Sequence, residues 1–204
     1  MKNRILRYAL ALCTSVTALP AVSATLLVLG DSISAAYGIA VEEGWVHLLR
    51  ERLQAHYPAR YEVVNASVSG ETTAGGLRRL PALLEQHSPD TVIVGLGGND
   101  GLRGLPLKQM ETNLTRIVEL SQEKGAEVVL LGIELPPSYG AAFNRRFQQV
   151  YRTVGETHEV PLVPLGFGLL ADRSLLQEDG IHPTEKAQPI ILEQVWPLIA
   201  EGGG

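Results

Sequence analysis

Thr25-Leu26-Leu27-Val28-Leu29-Gly30-Asp31-Ser32-Ile33 is the stretch that decides the fold. An unbroken aliphatic and β-branched run ending in Gly-Asp-Ser reads as a buried strand giving way to a helix, with Ser32 at the junction. Similar runs recur at Tyr61–Asn65, Thr91–Leu96, Glu127–Ile133 and Pro161–Leu165. Between and after them lie longer amphipathic stretches, Glu42–Tyr57, Thr72–His87, Pro106–Lys124, Ala141–Glu156 and Thr184–Ala200, which predict helices.

Such alternation is the signature of a parallel sheet covered on both faces. The expected class is α/β: a flavodoxin-like three-layer α/β/α sandwich with a five-stranded parallel sheet, formed by one domain over residues 25–204. Ahead of it, Lys2, Arg4 and Arg7 precede an apolar run from Tyr8 to Leu19, and residues 18–24 end in a small-x-small pattern. Residues 1–24 therefore read as a secretory signal peptide cleaved after Ala24, which predicts a periplasmic or secreted protein. The apolar run is too short to span a bilayer, and no later stretch is long and apolar enough. The single cysteine, Cys13, lies in that segment behind the bulky Leu12, so neither a lipid anchor nor a disulfide is expected. Cleavage would leave 14 basic residues against 22 acidic ones, moving the formal charge from −5 to −8. That balance argues against nucleic acid or an anionic membrane surface as an electrostatically held partner. A monomer is the default expectation.

In α/β sheets, ligands sit at the carboxyl ends of the strands. Four polar segments fall there: Ser32 after the first strand, Ser69-Gly70-Glu71-Thr72 after the second, Gly97-Gly98-Asn99-Asp100 after the third, and Asp179-Gly180-Ile181-His182-Pro183 before the last helix. A serine hydroxyl is a weak nucleophile near neutral pH and needs a base within hydrogen-bond reach, itself held in one tautomer. An Asp-x-x-His turn can bring Asp179 onto His182 Nδ1 and leave Nε2 facing Ser32, provided the loop returns to the end of the first strand. Ser32, His182 and Asp179 are thus the candidate nucleophile, base and orienting acid. His47, His56 and His87 fall on predicted helices and His158 at a helix end, no His-x-x-x-His pattern occurs, and no cysteine follows Cys13, so no metal site is expected. Asp31 reads as a turn or cap residue, and Trp45 and Trp196 as core.

The blocks Gly30-Asp31-Ser32-Ile33-Ser34-Ala35, residues 64–72, Gly97-Gly98-Asn99-Asp100-Gly101, Leu135-Pro136-Pro137-Ser138-Tyr139-Gly140 and Asp179-Gly180-Ile181-His182-Pro183 together resemble the SGNH (GDSL-type) hydrolases. Within them they are most similar to the bacterial periplasmic thioesterase/protease/lysophospholipase group and its arylesterase relatives. The resemblance runs through nearly the whole of residues 25–204, with Ile33 in place of the motif's leucine. It implies a cofactor-free serine hydrolase cleaving carboxylic esters and thioesters through an acyl-enzyme on Ser32. Ser32 N–H, Gly70 N–H and the Asn99 amide would form the oxyanion hole. Small-molecule or lipid acyl esters and thioesters, lysophospholipids among them, would be substrates.

Apolar residues in the loops after the third and fourth strands, Leu102, Leu105, Leu135 and Pro137, are candidates for an acyl-binding wall. Two other functions compete with this reading. A carbohydrate acetylesterase would share fold and triad. A non-catalytic flavodoxin-like binding module would share the layout, but would carry a phosphate-cradling glycine loop after the first strand, and residues 30–34 form neither G-x-G-x-x-G nor a P-loop.

Overall fold

The computed structural model describes residues 23–165 and 168–201, so all but the last two residues of the expected signal peptide lie outside the described residues. Five strands form one sheet: β1 (Ala24–Gly30), β2 (Tyr61–Asn65), β3 (Thr91–Gly95), β4 (Glu127–Ile133) and β5 (Leu162–Leu165). All pairings are parallel, in the order β2-β1-β3-β4-β5. The helices are α1 (Trp45–His56), α2 (Thr73–His87), α3 (Gly98–Leu102), α4 (Leu107–Glu123), α5 (Ala141–Thr157) and α6 (Gln188–Glu201).

Successive side chains of a strand point to opposite faces, so a run such as Leu26-Leu27-Val28-Leu29 must be covered on both sides. Leu27 and Leu29 meet Leu80 and Leu84 of α2, Leu114 of α4 and Phe147 and Tyr151 of α5. Leu26 and Val28 meet Trp45 and Leu49 of α1 and Ile191 and Val195 of α6. The result is the expected three-layer α/β/α sandwich. Trp45 is fully buried, whereas Trp196 is half-buried at the rim of its cluster, with the Arg52 guanidinium 5.0 Å from its ring centre.

Three predicted elements differ. Residues 32–38 form consecutive turns rather than a helix, because Ala36 (φ 57°) and Gly38 (φ 80°) take left-handed backbone that a right-handed helix cannot carry. The helix expected over Glu42–Tyr57 is split: Val41–Glu43 forms a 3₁₀ turn, Gly44 is extended, and α1 starts at Trp45. Likewise Glu185–Ala187 is 3₁₀, and α6 begins at Gln188 with Pro189 in its first turn, where a missing N–H costs nothing.

Because β1 lies between β2 and β3, the chain leaves β1 toward one side, then returns to its other side. A crevice opens at the carboxyl ends of β1 and β3 at such a reversal. Gly30 and Gly95, the last residues of the two strands, lie side by side in register there.

Candidate active site

Ser32 follows β1 by two residues and is 9 % exposed. Its carbonyl accepts from Tyr37 N–H (3.1 Å), and that of Asp31 accepts from Ala35 N–H (3.0 Å), closing the turn that presents the hydroxyl. From the far end of the chain, Leu176 and Pro183 pair as an antiparallel bridge. Gln177 N–H donates to His182 O (2.8 Å) and Thr184 N–H to Leu175 O (2.8 Å), making a hairpin-like loop whose tip is Asp179 and Gly180. Asp179 Oδ1 accepts from the N–H groups of Ile181 (2.9 Å) and His182 (3.0 Å), as Asx turns do.

The three side chains form one hydrogen-bonded chain. His182 Nδ1 lies 2.6 Å from Asp179 Oδ2, and His182 Nε2 lies 2.9 Å from Ser32 Oγ. With Asp179 ionised, the pattern assigns the proton to Nδ1 and leaves the Nε2 lone pair to accept from the serine hydroxyl. Burial by itself would raise the Asp179 carboxyl, but hydrogen bonds from His182 and from the two backbone N–H groups outweigh it and hold it below its ordinary value. An ionised orienting acid is what that tautomer requires.

Opposite Ser32, Gly97 (φ 113°) turns the chain sharply from β3 into α3; any side chain there would both strain the backbone and strike Tyr151 Oη, 2.4 Å from where its Cβ would lie. The Tyr151 hydroxyl donates to Leu96 O (2.9 Å), pinning the peptide before the turn. The turn places Asn99 at the start of α3, where its Nδ2 donates to Asp31 Oδ2 at 3.3 Å. Arg103 closes the arrangement: it follows α3 and its guanidinium donates to Gly70 O (2.8 Å), tying the glycine turn after β2 to the end of α3. Gly70 itself has φ 78°. Ser32, Gly70, Asp179 and His182, on loops, and Asn99, at the start of α3, are thus all gathered at the carboxyl rim of the sheet.

Of the four apolar candidates, Leu102 and the buried Leu135 line a cleft of about 30 Å³ that also touches Ser32, Asn99, Ile133 and Ile181. Leu105, 39 % exposed, is not among its walls, and Pro137 borders a separate open groove beside α5, while its neighbour Pro136 faces the cleft.

Several participants were not singled out by sequence. Asp31 is 2 % exposed; its Oδ1 accepts from Ile33 N–H (3.1 Å), the turn role expected of it, while its Oδ2 faces Asn99. Burial pushes its carboxyl up to about 6, against partial relief from the Ile33 N–H, His182 and Asn99. Asp100, also buried, accepts from Thr73 N–H (2.9 Å) and Thr73 Oγ1 (2.6 Å), and Asn113 Nδ2 donates to Thr73 Oγ1 (3.0 Å), so α3 is locked to α2 and α4. Glu134 sits in the same cleft wall, its carboxyl raised by burial. An acidic residue next to a strand's last apolar residues is the only signal that could have marked Glu134. Among the described residues, no group of three or more histidine, cysteine or acidic side chains could hold a metal ion.

Comparison with known proteins places the chain in a family. Esterase TesA of Pseudomonas aeruginosa is 49 % identical over 180 residues, covering 88 % of this chain and 89 % of its own. Thioesterase 1/protease 1/lysophospholipase L1 of Escherichia coli is 42 % identical over 180 residues, covering 86 % and 85 %. The crystal structure of the psychrotrophic esterase EstA from Pseudoalteromonas sp., inhibited by monoethylphosphonate, superposes with a TM-score of 0.81 at 43 % identity, covering 87 % of this chain and 97 % of that one. Residues 28–189 match the GDSL-like Lipase/Acylhydrolase family, the span that carries the serine turn, the glycine and asparagine turns and the Asp-x-x-His loop, and the chain is a member of that family.

Proposed function

We propose that the protein is a serine esterase and thioesterase in which Ser32 is the nucleophile, His182 the general base and Asp179 its orienting acid. The observation that carries this reading is the continuous hydrogen-bonded chain Asp179–His182–Ser32. Ser32 Oγ attacks the acyl carbonyl carbon as its proton passes to His182 Nε2. The carbonyl oxygen becomes an oxyanion, and Ser32 N–H, Gly70 N–H and Asn99 Nδ2 are its donors. Collapse expels the alcohol or thiol, which takes the proton from His182, and leaves an acyl ester on Ser32. Water then attacks that ester with His182 again as base, releasing the acid.

The names of the relatives support carboxylic esters and thioesters as substrates, with lysophospholipids as the lipid class. The small cleft beside Ser32 favours short acyl groups, which keeps acetylated carbohydrates in contention. The basic-then-apolar residues 1–24 support export to the periplasm or beyond. Among the described residues no helix is long and apolar enough to cross a membrane.

The test is a hydrolysis screen of p-nitrophenyl esters, acyl thioesters, lysophospholipids and acetylated sugars, run beside Ser32→Ala. We expect Ser32→Ala to lose roughly 10⁴- to 10⁶-fold in kcat with its fold intact, and a fluorophosphonate probe to label Ser32. Labelling at another serine would overturn the assignment.

A further inference from the structure

Tyr37 is the most conspicuous residue of the site that the reaction leaves unused. Its ring centre lies 4.6 Å from that of His182, with the planes tilted by 41°. It is 52 % exposed, so it is not there to fill the core. Its backbone is bound to Ser32 directly and to the histidine loop through Gln177. Tyr37 N–H donates to the carbonyl of Ser32 (3.1 Å), and Tyr37 O accepts from Gln177 Nε2 (2.7 Å). The same Gln177 amide donates to Pro183 O (3.0 Å), and Gln177 N–H donates to His182 O (2.8 Å). Gln177 therefore joins the serine turn to the histidine loop, with Tyr37 at the junction.

Ala36, immediately before it, holds φ 57° without being glycine. Non-glycine residues in that region cost free energy and persist where the surrounding structure enforces them. The strained residue immediately precedes Tyr37 in the turn that carries it.

The edges of the His182 ring are held by Asp179 and Ser32, but rotation of the ring about the line joining those two bonds is not opposed by hydrogen bonding. An aromatic face against the imidazole opposes it, and such ring pairs contribute beyond their buried area. We propose that Tyr37 is a positioning residue for the general base: its ring, carried by the Ser32 turn and tied through Gln177 to the histidine loop, holds the His182 imidazole in the orientation that reaches Ser32 Oγ. The proposal rests on the assignment of Ser32 and His182 above, and adds to it a residue that acts through the His182 ring. Since the ring makes the contact, phenylalanine can replace tyrosine. Since the ring is half exposed, its loss should leave the fold standing.

The experiment compares Tyr37→Phe, Tyr37→Leu and Tyr37→Ala in the full protein, using p-nitrophenyl and thioester substrates of several acyl lengths and the rate of fluorophosphonate labelling at Ser32. We expect Tyr37→Ala to lower kcat by about 10- to 100-fold with KM changed by less than about threefold. The loss should be the same for oxygen and sulfur leaving groups and all acyl lengths, and labelling should slow in parallel. Tyr37→Leu should be intermediate, and Tyr37→Phe should restore kcat. A rise in KM at constant kcat, or a loss confined to one leaving group or chain length, would make Tyr37 a substrate wall and overturn the proposal. Unchanged kcat in all three variants would overturn it as well. If Ser32 is still labelled and Ser32→Ala is inactive, either of these results leaves the triad assignment standing; failure of those two controls would instead fault the assignment itself.

Discussion

Asn99 and Asp31 face each other across the crevice between β1 and β3, and each side chain makes the other's state matter. One Nδ2 hydrogen of Asn99 is directed at Asp31 Oδ2 (3.3 Å), which orients the amide and, in the proposed mechanism, leaves the second hydrogen for the oxyanion. A donor of that kind strengthens as the carbonyl oxygen gains charge, so its removal should act on kcat rather than KM. Asn99→Ala is expected to lose on the order of 10² to 10³ in kcat, or about 3 to 4 kcal/mol, while staying folded. Steady-state kinetics decide it, and near-normal kcat with raised KM would reassign Asn99 to substrate positioning. Asp31 predicts a pH effect on stability. Its folded carboxyl is raised by burial from 3.8 to about 6, so between those values the folded state holds a proton that the unfolded state has released. Stability from this group is fully present below the unfolded value and is lost as pH rises through the folded one. Between pH 4 and pH 7 the loss should be about 2 to 3 kcal/mol. Urea unfolding of wild type and Asp31→Asn across that range should show the extra slope in the wild type alone.

Residues 98–102 illustrate a helix that no local propensity would supply. Gly98-Asn99-Asp100-Gly101-Leu102 is five residues long with two glycines, far below the length at which a helix is stable by itself. It reads as a turn in sequence for that reason. What makes it a helix is tertiary: Asp100 bonds to the first residue of α2, Arg103 to Gly70, and the Tyr139 hydroxyl to Leu102 O (3.0 Å). By contrast, the five strands and the cores of α2, α4 and α5 were legible because their apolar periodicity is long and regular. Anchoring α3 also sets the cleft wall. Leu102→Ala should enlarge the space beside Ser32 and raise the ratio of kcat/KM for octanoyl over acetyl esters by roughly 3- to 10-fold, since each methylene accommodated contributes about 0.8 kcal/mol. Leu105→Ala and Pro137→Ala should leave that ratio unchanged, as neither borders the cleft. Leu135→Ala is a poorer probe, because Leu135 is 2 % exposed and belongs to the core; its truncation should cost about 2 to 5 kcal/mol of stability.

The candidate nucleophile and base are 150 residues apart in the chain and 2.9 Å apart in space. That closure depends on the complete sheet: β1, flanked by β2 and β3, leads into the turn that carries Ser32, while the loop leading into α6 carries His182, and α6 packs on the same face as α1. Sequence by itself determined the α/β class, the five strands and the five long helices to within a turn at their ends, the residue types of the site and the local Asp-x-x-His geometry, because these rest on periodicity of two or 3.6 residues and on chemistry confined to a few neighbours. The order β2-β1-β3-β4-β5, the return of the histidine loop to Ser32, the left-handed Ala36, the packing of Tyr37 on His182, the Asp31–Asn99 contact and the division of the apolar candidates between two grooves were decided only in the folded state. Each of them joins segments distant in sequence, or a backbone conformation imposed against local preference, and both come from the packing of the whole domain rather than from any window of residues.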